Sequence, residues 1–200
     1  WSTPFAVPAP ASQPLYDEGR ASGYFITDAA GFVWPVPFDG QGTSGMVDFT
    51  YDAAVGWWQS LIGRVTALGP GIGVDGFKLD YGEEVLVELF GSRLGFRFHD
   101  GSTERTMHRQ YCMLYHRAYE QVLARDRAEN GGFVIGRASG WGGQAEVDAI
   151  WPGDLDSDFS VHDDVNVGGL PAAVVALQTL GASGFVTFGS DTGGYREGTP

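Results

Sequence analysis

Helical spacing of apolar residues marks three segments of the chain. The first predicted helix runs from Thr50 or Asp52, either of which would cap it, to about Leu68. The second covers residues 106–127, and the third covers residues 166–180 despite a proline in its first turns. The apolar faces of the first two helices consist of Val55, Trp58, Leu61, Ile62 and Val65, and of Met107, Tyr111, Leu114, Tyr115, Ala118 and Val122. Each of these helices therefore has one face to bury against a core.

Short, continuous apolar runs between the helices predict buried strands. They cover residues 74–79, 133–136, 147–151 and 184–188. Residues 1–7 indicate the end of another strand, followed by a proline-rich loop at 8–14, whereas residues 83–100 are mostly loop. The prolines in residues 34–38 exclude a central strand there, because proline cannot donate to a ladder. Buried strands that alternate with amphipathic helices favour parallel βαβ units with right-handed crossovers.

A polar residue follows each of four predicted strands: Asp80, Arg137, Asp154 and Asp191. In a (β/α)₈ barrel, the carboxyl ends of the strands carry the active site. In a doubly wound sheet, the same ends also bind ligands. The pattern therefore predicts an α/β fold with a site at these strand ends, and both architectures remain open on periodicity alone.

Length and charge narrow the classes of partner. The 200 residues suit one domain, and 12 basic against 25 acidic side chains give a net charge of −13. Such a surface repels phosphate backbones and anionic headgroups, so we expect neither a nucleic acid nor a membrane partner. The single cysteine, Cys112, excludes an internal disulfide and is predicted to be buried. No membrane-spanning run or signal peptide is visible, and the compartment stays unknown.

Two of the strand-end acids, Asp80 and Asp154, suggest glycosidic bond cleavage. This reaction needs two carboxyl groups, which lie about 5–5.5 Å apart in retaining enzymes. An aspartate at a strand end is, however, often only a turn residue. Tryptophans in or beside the same loops could stack on sugar rings, although each one alone is more often a core residue. These tryptophans are Trp1, Trp34, Trp141 and Trp151.

Five separated motifs then resemble glycoside hydrolase family 31. Residues 78–83, Lys-Leu-Asp-Tyr-Gly-Glu, resemble the family's Lys-x-Asp-Phe-Gly-Glu. Residues 136–144 are similar to its Arg-Ser-x-x-x-Gly-x-Gln segment, and residues 151–154 to its Trp-x-Gly-Asp. Residues 184–195 resemble Gly-Phe-x-Phe-x-x-Asp-Ile-Gly-Gly-Phe, and residues 47–58 resemble the Asp-Phe-Thr entry to a Trp-Trp helix. The matches follow the family's order over nearly the whole chain, which makes the series far more specific than any single motif.

The resemblance implies that residues 1–200 are a partial (β/α)₈ TIM-barrel catalytic domain covering roughly strands 3 to 7. A complete barrel needs about 250 residues. We therefore expect barrel strands 1, 2 and 8, and the family's flanking β-sandwich domains, to lie outside this chain. Open sheet edges would make such a piece prone to aggregation when isolated.

The resemblance also implies a retaining α-glycoside hydrolase that removes a terminal non-reducing α-linked sugar through a covalent glycosyl-enzyme. Asp80 would be the nucleophile and Asp154 the general acid/base. Arg137 would hold substrate hydroxyls and help to keep a neighbouring carboxylate ionised, and Glu83 would support the nucleophile. The remaining substrate-binding residues would be Trp1, Trp34, Lys78, Trp151 and Asp191.

Several alternatives stay open. The same carboxylate pair serves α-transglycosylases and α-glucan lyases, and a non-catalytic carbohydrate-binding relative is a further alternative. The sugar is also open, because Lys78 stands where many α-glucosidases have Trp, and Ser190 stands where some α-xylosidases carry His. Among the histidines, His99, His108, His116 and His162, none shows metal-ligand spacing, so no metal or cofactor is expected. We expect a carbohydrate as the partner, and the oligomeric state is open.

Overall fold

The computed structural model describes residues 1–37, 43–69, 71–129, 131–159 and 168–196. The helices are α1 Gln13–Ala21, α2 Asp52–Thr66, α3 Glu104–Met107, α4 Tyr111–Asp126 and α5 Leu170–Ala182, with a short 3₁₀ turn at Gly143–Ala145. The strands are β1 Phe5–Ala6, β2 Pro35–Pro37, β3 Thr43–Met46, β4 Gly76–Leu79, β5 Glu88–Leu89, β6 Ser92–Arg93, β7 Phe133–Gly136 and β8 Ala149–Ile150. Three positions named in the sequence analysis lie outside the described residues: the predicted start of the third helix at 166–167, residue 38, and His162.

A parallel sheet forms the wall on which the predicted site depends. Strand β4 pairs in parallel with β7, and β7 pairs in parallel with β8. Single parallel bridges continue the wall on both sides, from Ser2 to Leu79 and from Ile150 to Phe188. Five segments therefore lie side by side in the order in which they occur along the chain. The predicted strand at residues 133–136 is confirmed, and those at 74–79 and 147–151 are shorter than predicted. Residues 184–188 form no strand and contribute only the bridge at Phe188.

Helix α4 packs on this wall and carries the centre of the core. Its predicted apolar face is confirmed, since Tyr111, Tyr115 and Val122 are buried with their neighbours on that face. The hydroxyl of Tyr119 accepts a hydrogen bond from Trp58 Nε1 at 3.0 Å and lies 2.7 Å from Ser2 Oγ. One buried hydroxyl thus joins α2, α4 and the first residues of the chain.

A second, antiparallel sheet has the strand order β1-β3-β2 and packs beside the first residues of the chain. Strand β2 lies at the edge of this sheet. Its two prolines lack the backbone N–H that a central strand needs to pair on both sides. Its neighbour β3 contains Gly45, where an added Cβ would lie 2.6 Å from the ring of Phe25. Only glycine fits at position 45, because a side chain there would collide with the Phe25 ring, which is buried in the core.

Some helix ends in the structure differ from those predicted from the sequence. Helix α1 begins at Gln13 with Pro14 in its first turn, inside the predicted loop. The long predicted helix at 106–127 is interrupted between α3 and α4. Neither Thr50 nor Asp52 caps α2; instead Asp48 Oδ1 accepts hydrogen bonds from Thr50 N and Thr50 Oγ1. The turn before α2 is therefore fixed by an acid that lies outside the helix.

Helix α5 has the composition of a core helix but is not covered. It contains no buried residue, and Leu170, Val174, Val175 and Leu177 are roughly half exposed. A helix that is apolar on most of its surface is normally packed on several sides. Of the helices in the described ranges, none is long and apolar enough to cross a bilayer.

Replacing Tyr119 by Phe should destabilise the fold. The substitution leaves Trp58 Nε1 buried without an acceptor, which costs about 1–3 kcal/mol. Urea unfolding of the intact protein, followed by tryptophan fluorescence, measures the loss against Tyr195→Phe, which removes an exposed hydroxyl. Equal free energies of unfolding for the two variants would contradict the assigned role of Tyr119.

Candidate active site

The ends of three neighbouring strands place the predicted site residues at one edge of the parallel sheet. Leu79 lies opposite Gly136, and Gly136 lies opposite Ile150. The next residues, Asp80, Arg137 and Trp151, therefore leave the sheet at the same level. This geometry brings together residues that are up to 71 positions apart in the sequence (151 − 80 = 71).

The Asp80 carboxylate is held by three donors. Trp1 Nε1 donates to Oδ2 at 2.8 Å, whereas Tyr81 N and Arg137 Nη1 each donate to Oδ1 at 2.9 Å. Trp1 reaches this position because the next residue, Ser2, pairs with β4 through Ser2 N to Lys78 O and Asp80 N to Ser2 O. Asp80 is 7% exposed, and its orientation is fixed by charge-assisted hydrogen bonds.

Arg137 links two carboxylates. Besides its bond to Asp80, its Nε lies 2.8 Å from Glu83 Oε1, and its guanidinium lies 5.1 Å from the centre of the Tyr81 ring. Burial disfavours the charged guanidinium, but the negative charges of Glu83 and Asp80 outweigh it and raise the pKa of Arg137. Arg137 therefore stays cationic beside Asp80, and the expectation that these two residues lie together is confirmed.

Asp154 lies in the loop that follows Trp151. Its negative charge contributes to the raised pKa of Arg137 and of Tyr81, so it belongs to the same electrostatic cluster. The preceding Gly153 has φ +83°, and a Cβ there would lie 3.4 Å from Arg137 Nε. The positive φ is one that glycine adopts readily, whereas the space beside the guanidinium would admit a Cβ.

A pair of glutamates lies next to this cluster. Burial raises the pKa of Glu83, with the charge of Arg137 acting in the opposite direction. Burial, and then the charge of Glu83, raise the pKa of Glu84 to about 7. Glu84 Oε2 accepts a hydrogen bond from Gly82 N at 2.8 Å. A supporting role was predicted for Glu83 but none for Glu84, although two adjacent glutamates at a predicted site are a visible signal of coupled acids.

Three of the predicted sugar-binding residues surround a small cavity. Lys78 Nζ lies 4.1 Å from the centre of the Trp151 ring and 4.0 Å from Asp191 Oδ1. These residues and Ser190 help to line a cavity of about 250 Å³. Trp151 Nε1 and Asp191 Oδ2 are buried and have no hydrogen-bond partner among the described residues. Both residues line the cavity, and each of these two atoms lacks the hydrogen-bond partner that a buried polar group normally has.

The remaining predicted tryptophans differ in position. Trp1 contacts Asp80 through its ring nitrogen while 69% of the residue stays exposed. The Trp34 ring packs on Phe96 with 4.3 Å between ring centres, in the layer that contains the antiparallel sheet. Trp141 is almost fully exposed. Within the described residues, no cluster of His, Cys, Asp and Glu could hold a metal ion.

Polar and aromatic side chains gathered at the carboxyl ends of parallel strands are typical of the active-site face of α/β barrel domains. The chain belongs to glycosyl hydrolase family 31, whose TIM-barrel domain matches residues 1–200. The family expected from the motifs is therefore confirmed.

Among curated relatives, the chain is 30% identical over 200 residues to an α-xylosidase of Emericella nidulans, covering 100% of this chain and 23% of that protein. It is 30% identical over 184 residues to a sulfoquinovosidase of Agrobacterium fabrum, covering 91% of this chain and 25% of that protein. It is also 31% identical over 180 residues to an isomaltosyltransferase of Sporosarcina globispora, covering 87% of this chain and 15% of that protein. The chain thus spans about a quarter or less of the length of these relatives.

Among solved structures, the fold is similar to a family 31 sulfoquinovosidase from E. rectale in complex with an aza-sugar inhibitor. The TM-score is 0.80 at 27% sequence identity, over 98% of this chain and 27% of that chain.

Replacing Glu84 by Gln should stabilise the protein more at pH 8 than at pH 5. The folded-state pKa of about 7 lies above the ordinary 4.5, so the folded protein holds a proton that the unfolded chain releases between these values. The stability contributed by Glu84 is present below pH 4.5 and is lost as the pH rises to about 7. A neutral amide at this position avoids the loss, and the benefit of the substitution should grow by about 2–3 kcal/mol between pH 5 and pH 8.

Urea unfolding at both pH values measures this difference. Glu88→Gln is the matched control, because Glu88 is exposed in strand β5, which follows the Glu84 loop. A change in unfolding free energy that is the same at pH 5 and pH 8 would show that Glu84 has no raised pKa.

Proposed function

We propose that this chain is the catalytic part of a retaining α-glycoside hydrolase that removes a terminal non-reducing α-linked sugar by double displacement. The observation that carries the proposal is the fixed Asp80 carboxylate, which three donors orient at the carboxyl end of a parallel sheet. The paired cation Arg137 and the adjacent cavity with its free polar atoms support it.

In the first proposed step, Asp80 attacks the anomeric carbon and the bond to the leaving oxygen breaks. Asp154 acts as the general acid and protonates that oxygen, which leaves a glycosyl ester on Asp80. Arg137 holds the nucleophile in place for attack, because its Nη1 lies 2.9 Å from Asp80 Oδ1. Tyr81 N and Trp1 Nε1 keep the carboxylate from rotating away.

In the second proposed step, Asp80 carries the sugar as an ester, and Asp154 is a carboxylate because it has given its proton to the leaving oxygen. Asp154 then acts as the general base and accepts a proton from water, which attacks the anomeric carbon from the side that the leaving group occupied. The ester bond breaks, and Asp80 is regenerated as a carboxylate. Two inversions give net retention of the α configuration.

Sugar recognition is assigned to the cavity beside these acids. Trp151 Nε1 would donate to a sugar oxygen, and Asp191 Oδ2 would accept from a sugar hydroxyl, which satisfies both buried groups. Lys78 and Arg137 would donate to further hydroxyls. Trp1 presents an exposed indole face to the sugar ring, and Trp34 would bound the subsite from the antiparallel layer.

We also propose that residues 1–200 form roughly strands 3 to 7 of the (β/α)₈ barrel, and that strands 1, 2 and 8 and flanking β-sandwich domains belong to the same longer protein. The uncovered apolar helix α5 supports this, since further barrel elements would bury it. The small share of each relative that the chain spans supports it as well.

A transglycosylase is the second candidate, because an isomaltosyltransferase is among the relatives. The two activities share the glycosyl-enzyme and differ in whether water or a sugar hydroxyl attacks it. Product analysis of the full-length protein with a natural α-glycoside separates them: free reducing sugar alone indicates hydrolysis, and longer saccharides indicate transfer. A parallel screen of aryl α-xyloside, α-glucoside, α-galactoside and α-sulfoquinovoside identifies the sugar.

Replacing Asp80 by Asn in the full-length protein should lower kcat at least about 1,000-fold, because the nucleophile is lost. The isosteric amide should leave substrate binding nearly intact, so calorimetry should still detect the substrate. Asp52→Asn, at the exposed start of α2, is the control for the loss of one carboxylate. Turnover near the wild-type rate in the Asp80 variant would reject the proposed nucleophile.

Replacing Asp154 by Ala should slow substrates with poor leaving groups most, since those need protonation. Azide should restore turnover of an aryl α-glycoside with a good leaving group, because the small anion can attack the glycosyl-enzyme without a base. The expected product is the α-glycosyl azide, which nuclear magnetic resonance identifies. A folded variant that azide does not rescue would count against the acid/base assignment.

A further inference from the structure

We infer that Glu84 is a positioning residue for the proposed reaction: by accepting the Gly82 N–H, it holds the left-handed bend that aligns Tyr81 with Asp80 and Arg137. The inference rests on the proposed function of Asp80. Glu84 itself would not touch the substrate, and it would act through the backbone at residues 81–82.

The bend that follows Asp80 has an uncommon backbone conformation. Tyr81 has φ +62° and Gly82 has φ +105°, so two consecutive residues lie in the left-handed region. Glycine adopts this conformation readily, but a bulky residue such as tyrosine rarely does. A conformation of this kind persists only when surrounding contacts hold it, and such positions cluster at functional sites.

The bend determines two contacts of the predicted nucleophile. Tyr81 N donates to Asp80 Oδ1, and the Tyr81 ring lies under the guanidinium of Arg137, which binds the same oxygen. The ring is also placed edge-on against Phe5, with 5.3 Å between ring centres. If residue 81 relaxed to an extended conformation, both its amide and its ring would move away from Asp80.

Two contacts hold the bend. Gly82 packs on α4 so closely that a Cβ would lie 3.2 Å from Cys112 Cβ and 3.5 Å from the Tyr115 ring. The Glu84 side chain turns back and accepts the Gly82 N–H at 2.8 Å. The packing leaves little room for Gly82 to move towards α4, and the carboxylate fixes the direction of its amide.

The charge of Glu84 makes this contact dependent on pH. The groups that face it are Glu83 on the same loop, Arg137 after β7, and Tyr111, Cys112 and Tyr115 on α4. Burial and the charge of Glu83 raise the pKa of Glu84 to about 7. An ionised carboxylate accepts a backbone N–H more strongly than a neutral one. Burial outweighs this bond, because the pKa of Glu84 is raised overall, and the bend should therefore be held less firmly as the pH rises through about 7.

Steady-state kinetics of the full-length protein with its best aryl α-glycoside tests the inference. Glu84→Ala should lower kcat about 10- to 100-fold, which is the usual cost of a small misplacement of a reacting group, with KM within about twofold. Glu84→Gln keeps a neutral acceptor and should retain activity within about threefold. The wild-type kcat/KM should show an ionisation near pH 7 that Glu84→Gln lacks. Glu88→Ala, in strand β5 after this loop, should match the wild type.

The outcomes separate this inference from the proposed function. A wild-type protein with no turnover of any aryl α-glycoside overturns both. An active wild type with an unchanged Glu84→Ala variant overturns the positioning role alone. If Glu84→Ala does not fold, Glu84→Gln decides the question, because persistence of the ionisation near pH 7 in that variant assigns it to another group and overturns the inference.

Discussion

The ion pair between Arg137 and Asp80 is the interaction on which the site depends. It joins the ends of β4 and β7, and it is possible only because Leu79 and Gly136 lie opposite each other in the parallel sheet. A slip of one residue between these strands would turn one of the two side chains to the other face of the sheet. The register of a short sheet thus determines whether a charged pair forms at its edge.

The acids around Arg137 outnumber the cations. Asp80, Glu83, Glu84 and Asp154 surround one guanidinium, and the second cation, Lys78, is shared with Asp191 and the Trp151 ring. This excess of negative charge adds to burial, which is the main cause of the raised pKa values of Glu83 and Glu84. It would also favour the positive charge that develops at the anomeric carbon when a glycosidic bond breaks. The acids that lower stability near neutral pH would therefore also stabilise the transition state of the proposed reaction.

Sequence patterns predicted the parts of the molecule that periodicity and motif order control. Local patterns predicted the strand after Gly132, the apolar face of α4 and the edge position of the prolines. The family motifs led to the contact between Arg137 and Asp80. Parts controlled by tertiary contacts were missed. The proline in α1 suggested a loop because its role at a helix start depends on the residues after it, and the interruption before Tyr111 leaves no trace in the apolar spacing. Glu84 was missed because its importance comes from a turn that only the folded backbone reveals.

Several predicted site residues converge in the structure, while their chemical roles remain proposals. Trp1, Glu83 and Arg137 gather around Asp80, and Lys78 joins Trp151 and Asp191 at the cavity. The most direct measurement traps the covalent intermediate of the full-length protein with a fluorinated α-glycosyl fluoride and maps the modified peptide by mass spectrometry. The account predicts one sugar, attached through an ester to Asp80. A sugar on another residue, or turnover without any trapped ester, would contradict it.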